Sequence, residues 1–229
     1  MALAPRDPRE NAVSEVHVAQ QPGSVEGGIV PERPPEARIL GAFRFATRPR
    51  VAYPLLAAAA LGYSVVALLL ALAKANPMPE PYLRIPDADY FAAATFFYAP
   101  VIVAAWLLAS AVMYLAARAV RGEPRFDDLL SATAFASGLG TLGTLIADLV
   151  TSPLRVVGVI DEQAWEASIA QRGGWFVFTW VTLILYIVLF LLAYPLAVRL
   201  STRLAWPGAV VIGVAGFLVF QGFEYVFVR

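Results

Sequence analysis

Two carboxylic acids, Asp148 and Glu224, stand inside long apolar runs of the chain, and no other acid does. An ionisable group at the centre of a membrane helix costs about 3 kcal/mol, so each raises the question of a proton or cation site. If the helices that carry them pack together they would share a proton, because adjacent carboxylates resist ionising at once. Both lie close to the ends of their runs, where water, Arg155 or Arg229 could satisfy them instead. A second arrangement is Gly138, Gly140 and Gly143, which spell G-x-G-x-x-G, with Asp161 at the distance of a ribose-binding acid. That fingerprint needs a preceding strand and an aqueous crevice, and here it falls within a run long enough to cross a bilayer. Helix packing accounts for it better. Ala136, Gly140, Gly143 and Ala147 share one helical face, and small side chains there admit a neighbouring helix. Ala209, Gly213 and Gly216 cluster likewise in the last run, so the third and fifth runs are expected to form a tight pair.

Other chemistry is sparse. Cysteine is absent and His17 is the only histidine, in a polar, proline-bearing stretch where a solvated loop residue is expected. Haem ligation by histidine, zinc sites and Ser-His-Asp catalysis therefore lose their central residue inside the membrane. An intramembrane enzyme would have to rely on carboxylates, hydroxyls or Arg118. Gln221 and the hydroxyls of Ser64, Ser110, Thr133, Thr141, Thr144, Thr179 and Thr182 could line a polar path, although such groups more often bond their own backbone or an adjacent helix. Asp127 and Asp128 precede the third run, where a helix cap is expected over a metal site. Asp161, Glu162 and Glu166 fall in a loop that could form a short surface helix. Arg118 is expected to snorkel to anionic headgroups. No cofactor, small-molecule ligand or catalytic residue is assigned.

The elements that must position these residues follow from composition. Apolar residues make up 59% of the 229 and charged ones 15%, against roughly a quarter charged in soluble domains. The formal charge is zero and the arginines lie between apolar blocks, so nucleic-acid binding is not expected. Residues 1–35 hold too little apolar material to offset the entropy of ordering them and read as a disordered cytoplasmic tail, uncleaved because no apolar stretch follows its start. Over 36–50, Ile39, Ala42, Phe43 and Ala46 recur at helical spacing between arginines, as in an amphipathic helix at the lipid headgroups; an irregular linker is the alternative.

A hydrocarbon core of about 30 Å needs about 20 apolar residues per helix. Five runs of that size occur, over 51–73, 93–120, 129–150, 175–200 and 207–228. Each must be helical, because an isolated strand would leave its peptide groups unpaired in lipid. The fold class is all-α, a polytopic bundle of five transmembrane helices. Pro100 and Pro195 should bend their helices, and Tyr53, Tyr90, Trp175, Trp206 and Tyr225 sit near run ends, where such rings favour the interface. Arg38, Arg44, Arg48, Arg50, Arg118, Arg121, Arg125, Arg199 and Arg203 fall on one side, and Lys74, Arg84, Arg155, Arg172 and Arg229 on the other. Nine cations against five predict the amino terminus inside and the carboxyl terminus outside.

Beyond residue 48, and most clearly from Ile85 on, the chain resembles the Yip1 domain family, in particular its prokaryotic branch of small five-helix membrane proteins. Pro49-Arg50 looks like the family's entry motif, and Asp89-Tyr90 leading to Ala99-Pro100 is similar to its approach to the second helix. The stretch Gly122-Glu123-Pro124-Arg125-Phe126-Asp127-Asp128-Leu129-Leu130, followed by Ala134-Phe135-Ala136, looks like its short inner loop entering the third helix. Physically this is a glycine-proline turn, an interfacial phenylalanine and a helix start. The inner loop's usual second glycine is replaced by Arg125 or a neighbour, and the family's proline early in the third helix is missing, with Gly138-Leu139-Gly140 nearby. Eukaryotic members are implied to act in vesicle traffic with small GTPases, but their Asp-Leu-Tyr-Gly-Pro segment is not found here, and that role is not carried over.

The resulting expectation is a non-enzymatic multi-pass protein of the inner (plasma) membrane. It would be a scaffold, assembly or regulatory factor whose partners are the lipid bilayer and other membrane proteins or further copies of itself. Helix faces and a cytoplasmic-loop contact at Gly122, Arg125 and Phe126 would carry those contacts. The alternative is a small-solute or proton-coupled transporter using Asp148 and Glu224. Sixteen arginines against one lysine point to a GC-rich bacterial genome.

Overall fold

A computed structural model describes residues 35–77 and 83–227. The tail over 1–34, His17 and Arg229 lie outside the described residues. All regular structure among the described residues is helical: α1 (Pro35–Ala46), α2 (Pro49–Leu72), α3 (Asp87–Ala119), α4 (Phe126–Val156), α5 (Glu162–Ala170), α6 (Gly174–Thr202) and α7 (Trp206–Phe227). Five of them, α2, α3, α4, α6 and α7, are long and apolar enough to cross a membrane. At 1.5 Å per residue the 22 residues of α7 span about 33 Å and the 33 of α3 about 50 Å, so α3 and α4 overrun the hydrocarbon at their ends. Helix α1 stops where Thr47 turns its hydroxyl back to the Arg44 carbonyl (3.2 Å) and Arg48 is extended, and Pro49 opens α2 at a position where its missing N–H costs nothing.

Packing closes the five spans into a ring: α2 on α4, α4 on α6, α6 on α7, α7 on α3 and α3 on α2, with a narrower α3–α4 contact across it. Contacts between Leu55 and Gly138, Gly62 and Leu145, and Tyr63 and Thr144 keep a near-constant sequence offset, so α2 and α4 run parallel. Ser137 with Tyr194, Gly140 with Phe190 and Gly143 with Tyr186 keep a near-constant sum, so α4 and α6 are antiparallel. Thus α1 and the 120–125 and 203–205 connections share one end, termed here the amino-terminal end, and α5 and the end of α7 share the other.

Helix α4 is the most enclosed span, with 67% of its most apolar window buried against 17% for α6. This explains its sequence. Its hydroxyls and glycines face protein on several sides, whereas α6 presents Trp180, Val181, Ile184, Leu185 and Leu192 outward. The anticipated pairing of the third and fifth spans is corrected: α4 packs chiefly on α2 and α6, and α7 on α3 and α6. Gly140 and Gly143 admit Phe190 and the Tyr186 backbone of α6, while Gly213 meets Pro195 of α6 and Gly216 meets Met113 of α3. A stripe of small residues announces a close approach, not the identity of the helix that approaches. Ala136 is fully buried and Ala147 half-buried on the same α4 face.

Two further corrections concern helix starts. Asp127 and Asp128 do not precede α4 but occupy its first turn, behind an Arg125 N-cap that makes no side-chain cap bond, so they act on the helix dipole without capping it. Tyr90, read as an interfacial ring, is fully buried and donates its hydroxyl to the Phe227 carbonyl at 2.6 Å. The segment around Asp161 does form a short helix, α5, with the Asp161 carboxylate accepting from the Ala164 N–H at 2.9 Å.

Candidate functional site

The acids found in the sequence converge on one polar cluster toward the end of the bundle where α7 finishes. Four spans build it. Helix α2 supplies Tyr63, α4 supplies Thr144 and Asp148 one turn apart, α6 supplies Tyr186, and α7 supplies Gln221 and Glu224, also one turn apart. The Tyr63 hydroxyl bonds that of Thr144 and faces the Asp148 carboxylate. The Tyr186 hydroxyl lies 2.8 Å from Gln221 Oε1 and 2.9 Å from Glu224 Oε2. One hydroxyl proton cannot serve two acceptors, so the geometry is satisfied when Gln221 turns its NH2 to the Tyr186 oxygen and the phenol donates to Glu224.

Glu224 is 9% exposed, and a carboxyl so enclosed needs a donor or a proton of its own. Tyr63 lies within electrostatic range of the Glu224 carboxyl and of the Tyr186 phenol, so the Asp148 and Glu224 halves are neighbours. Arg155 acts on Asp148 from about two helical turns further along, although its guanidinium stacks over Trp165 at 4.5 Å. Beyond Tyr63 the aromatic shell continues through Tyr98, whose hydroxyl lies 3.3 Å from that of Tyr90. Chemically, paired carboxyl and phenol groups can hold or pass a proton or surround a small cation; among the described residues no three His, Cys, Asp or Glu side chains group as a metal site.

Several other expected polar residues are consumed in pairing. Ser110 donates to the Trp106 carbonyl at 2.7 Å and lies 2.7 Å from Thr133, which also accepts from the Trp106 indole at 3.2 Å. Thr179 and Thr182 bond backbone carbonyls of their own helix. Thr141 is 1% exposed and its hydroxyl has no partner. Ser137, not singled out in the sequence, joins Tyr194 at 2.7 Å across the α4–α6 contact. Sequence reasoning also missed Tyr63 and Tyr186. Their one available signal was a phenol far from the ends of an apolar run, where the interface cannot claim it.

At the amino-terminal end the loop residues lie together. Gly122 is half-buried, its N–H donating to the Ala117 carbonyl at 2.9 Å; Arg125 pairs with Asp128 at 3.6 Å; Phe126 is exposed and meets Tyr114 edge-on at 5.2 Å. Arg118, expected to reach for headgroups, lies over the same Tyr114 ring at 5.8 Å.

A family model described as the Yip1 domain matches residues 39–223. No curated protein and no solved structure matches the chain. The matched segment runs from within α1 to Phe223, so it takes in four candidate spans whole, α7 for most of its length, the 120–125 connection and Asp148, and stops one residue short of Glu224. The chain, a multi-pass helical membrane protein, belongs to the Yip1 domain family.

Proposed function

We propose that this chain is a non-enzymatic scaffold, assembly or regulatory factor in a bacterial inner membrane, with the amino-terminal end of the bundle in the cytoplasm. It would act through lipid-facing helix sides and through the loop at Gly122, Arg125 and Phe126. The observation that carries this reading is the inward pairing of the spans' polar groups. Trp106 with Ser110 and Thr133, Ser137 with Tyr194, and Tyr63 with Thr144 spend their hydrogen bonds on joining helices. What remains exposed is mainly apolar side chain along the spans and charged residues at both ends, surfaces suited to lipid and to protein. The test is affinity purification in mild detergent, comparing the wild type with Arg125→Ala/Phe126→Ala. A specific membrane protein should be recovered with the wild type and reduced at least about tenfold with the variant, as for loss of two contact residues. Recovery of no partner, together with substrate-dependent flux in liposomes, would overturn the reading.

A second reading, a proton-coupled or small-solute transporter, draws support from the convergence of Asp148 and Glu224 on Tyr63 and Tyr186. Its requirement is strict. Asp148→Asn with Glu224→Gln must abolish a flux that the wild type supports in proteoliposomes; an unchanged flux leaves the transporter without its residues.

A further inference from the structure

The amino-terminal end of the bundle encloses a cleft of ≈820 Å³ lined by four arginines from different segments: Arg44 of α1, Arg125 at the start of α4, Arg199 in the last turn of α6, and Arg203 beyond it. A second cavity of ≈250 Å³ shares Arg44, Asp128, Leu200 and Ser201 with it and adds Arg48. The volume is within the range of about 300–1,000 Å³ typical of ligand clefts. Two carboxylates also line the larger cleft. Glu123 sits 3.8 Å from Arg203 and Asp128 3.6 Å from Arg125, and all four side chains are at least 60% exposed, so these pairs are solvated and weak. Arg44 and Arg199 make no ion pair among the described residues. The cleft is therefore cationic by four to two, with its uncompensated charge on α1 and α6.

The chemistry that fits is a phosphate. Its several oxygens can accept from more than one guanidinium fork at once, which lets convergent arginines share one anion. The position fits a lipid source. Trp206, 48% exposed, lines the cleft and begins α7, and an indole at a span end marks the headgroup level. A headgroup of the adjacent leaflet can enter there while its acyl chains stay in hydrocarbon. We propose that this cleft binds the phosphate of an anionic phospholipid headgroup through Arg44, Arg199 and Arg203, with Arg125 at its rim.

The site is tested on the full-length protein reconstituted in phosphatidylcholine nanodiscs with and without phosphatidylglycerol, then released into neutral detergent and weighed by native mass spectrometry. Phosphatidylglycerol should be retained in preference to phosphatidylcholine. Arg44→Gln and Arg199→Gln should each weaken it about fivefold, the worth of one arginine near an anionic lipid surface. Arg172→Gln, exposed at the opposite end of the bundle, should leave retention unchanged. Size-exclusion profile and helix content establish that each variant folds, and Arg44→Gln, on exposed α1, carries the test if Arg199→Gln does not. Inorganic phosphate is added as a competitor. If it cannot displace the lipid, the membrane is the source; if it displaces it at comparable affinity, the cleft takes soluble phosphate and the lipid assignment is overturned. Equal retention in Arg44→Gln, Arg199→Gln and Arg172→Gln overturns the proposal.

Discussion

Gly140 and Gly222 have the same composition and opposite fates. A Cβ at Gly140 would run into the ring of Phe190, which is itself fixed by ring contacts with Tyr186, Tyr194, Phe217 and Phe220. Nothing lies within 4 Å of a Cβ at Gly222. Gly140→Ala should therefore destabilise the bundle by about 1–3 kcal/mol through overpacking. Gly222→Ala should be neutral or gain about 0.5–1 kcal/mol from helix propensity. Thermal unfolding in detergent separates the two, and equal effects would mean that the α4–α6 contact is looser than described. At this scale the sequence was informative about Gly140 and Gly143, because small residues at helical spacing have few other uses in lipid. It was mute about Tyr186, whose role depends on Gln221 and Glu224, thirty-five and thirty-eight positions away on another helix.

Helix ends carry a pattern of their own. Lys74, Arg121, Arg172 and Arg203 all adopt left-handed backbone (φ 53° to 60°) just past the ends of α2, α3, α5 and α6, whereas only the end of α4 uses glycine, Gly158 at φ 72°. At Lys74 the reversal is a Schellman arrangement, with Lys74 N–H on the Ala71 carbonyl at 3.1 Å and Ala75 N–H on that of Leu70 at 3.0 Å. Left-handed conformation costs an L-residue roughly 1–2 kcal/mol, while a cation beside the free carbonyls returns about 0.3–1 kcal/mol. The first effect is larger, so Lys74→Gly should raise stability, by up to about 1 kcal/mol in a denaturation series; a loss would show that the lysine makes a stronger contact. The spans themselves were legible because hydrocarbon thickness fixes how long an apolar run must be. Their boundaries were less so: α3 begins at Asp87, and α4 takes in Asp127 and Asp128, because a helix continues past the lipid wherever its residues permit. Which helix meets which was beyond reach, since a ring of five spans depends on complementarity between segments far apart in the chain.

For the whole molecule, orientation decides which surfaces meet which compartment. Cysteine is absent, so single introduced thiols report without background. Exposed Asp127 at the amino-terminal end and exposed Gln163 on α5 at the other are suitable positions. With a cytoplasmic amino-terminal end, a membrane-impermeant thiol reagent applied to intact cells should label Gln163→Cys and spare Asp127→Cys until the cells are opened. The reverse pattern would invert the topology and place the arginine cleft on the far leaflet.

The enclosed position of α4 bears on how the protein is made. As the chain leaves the ribosome, α2 and α3 are available when α4 enters the bilayer, but α6, which fills the face around Gly140 and Ser137, has not yet been synthesised. Until then those small and hydroxyl-bearing residues need a temporary neighbour, such as the insertion machinery. The least greasy of the five spans must therefore be sheltered for as long as translation takes to reach α6.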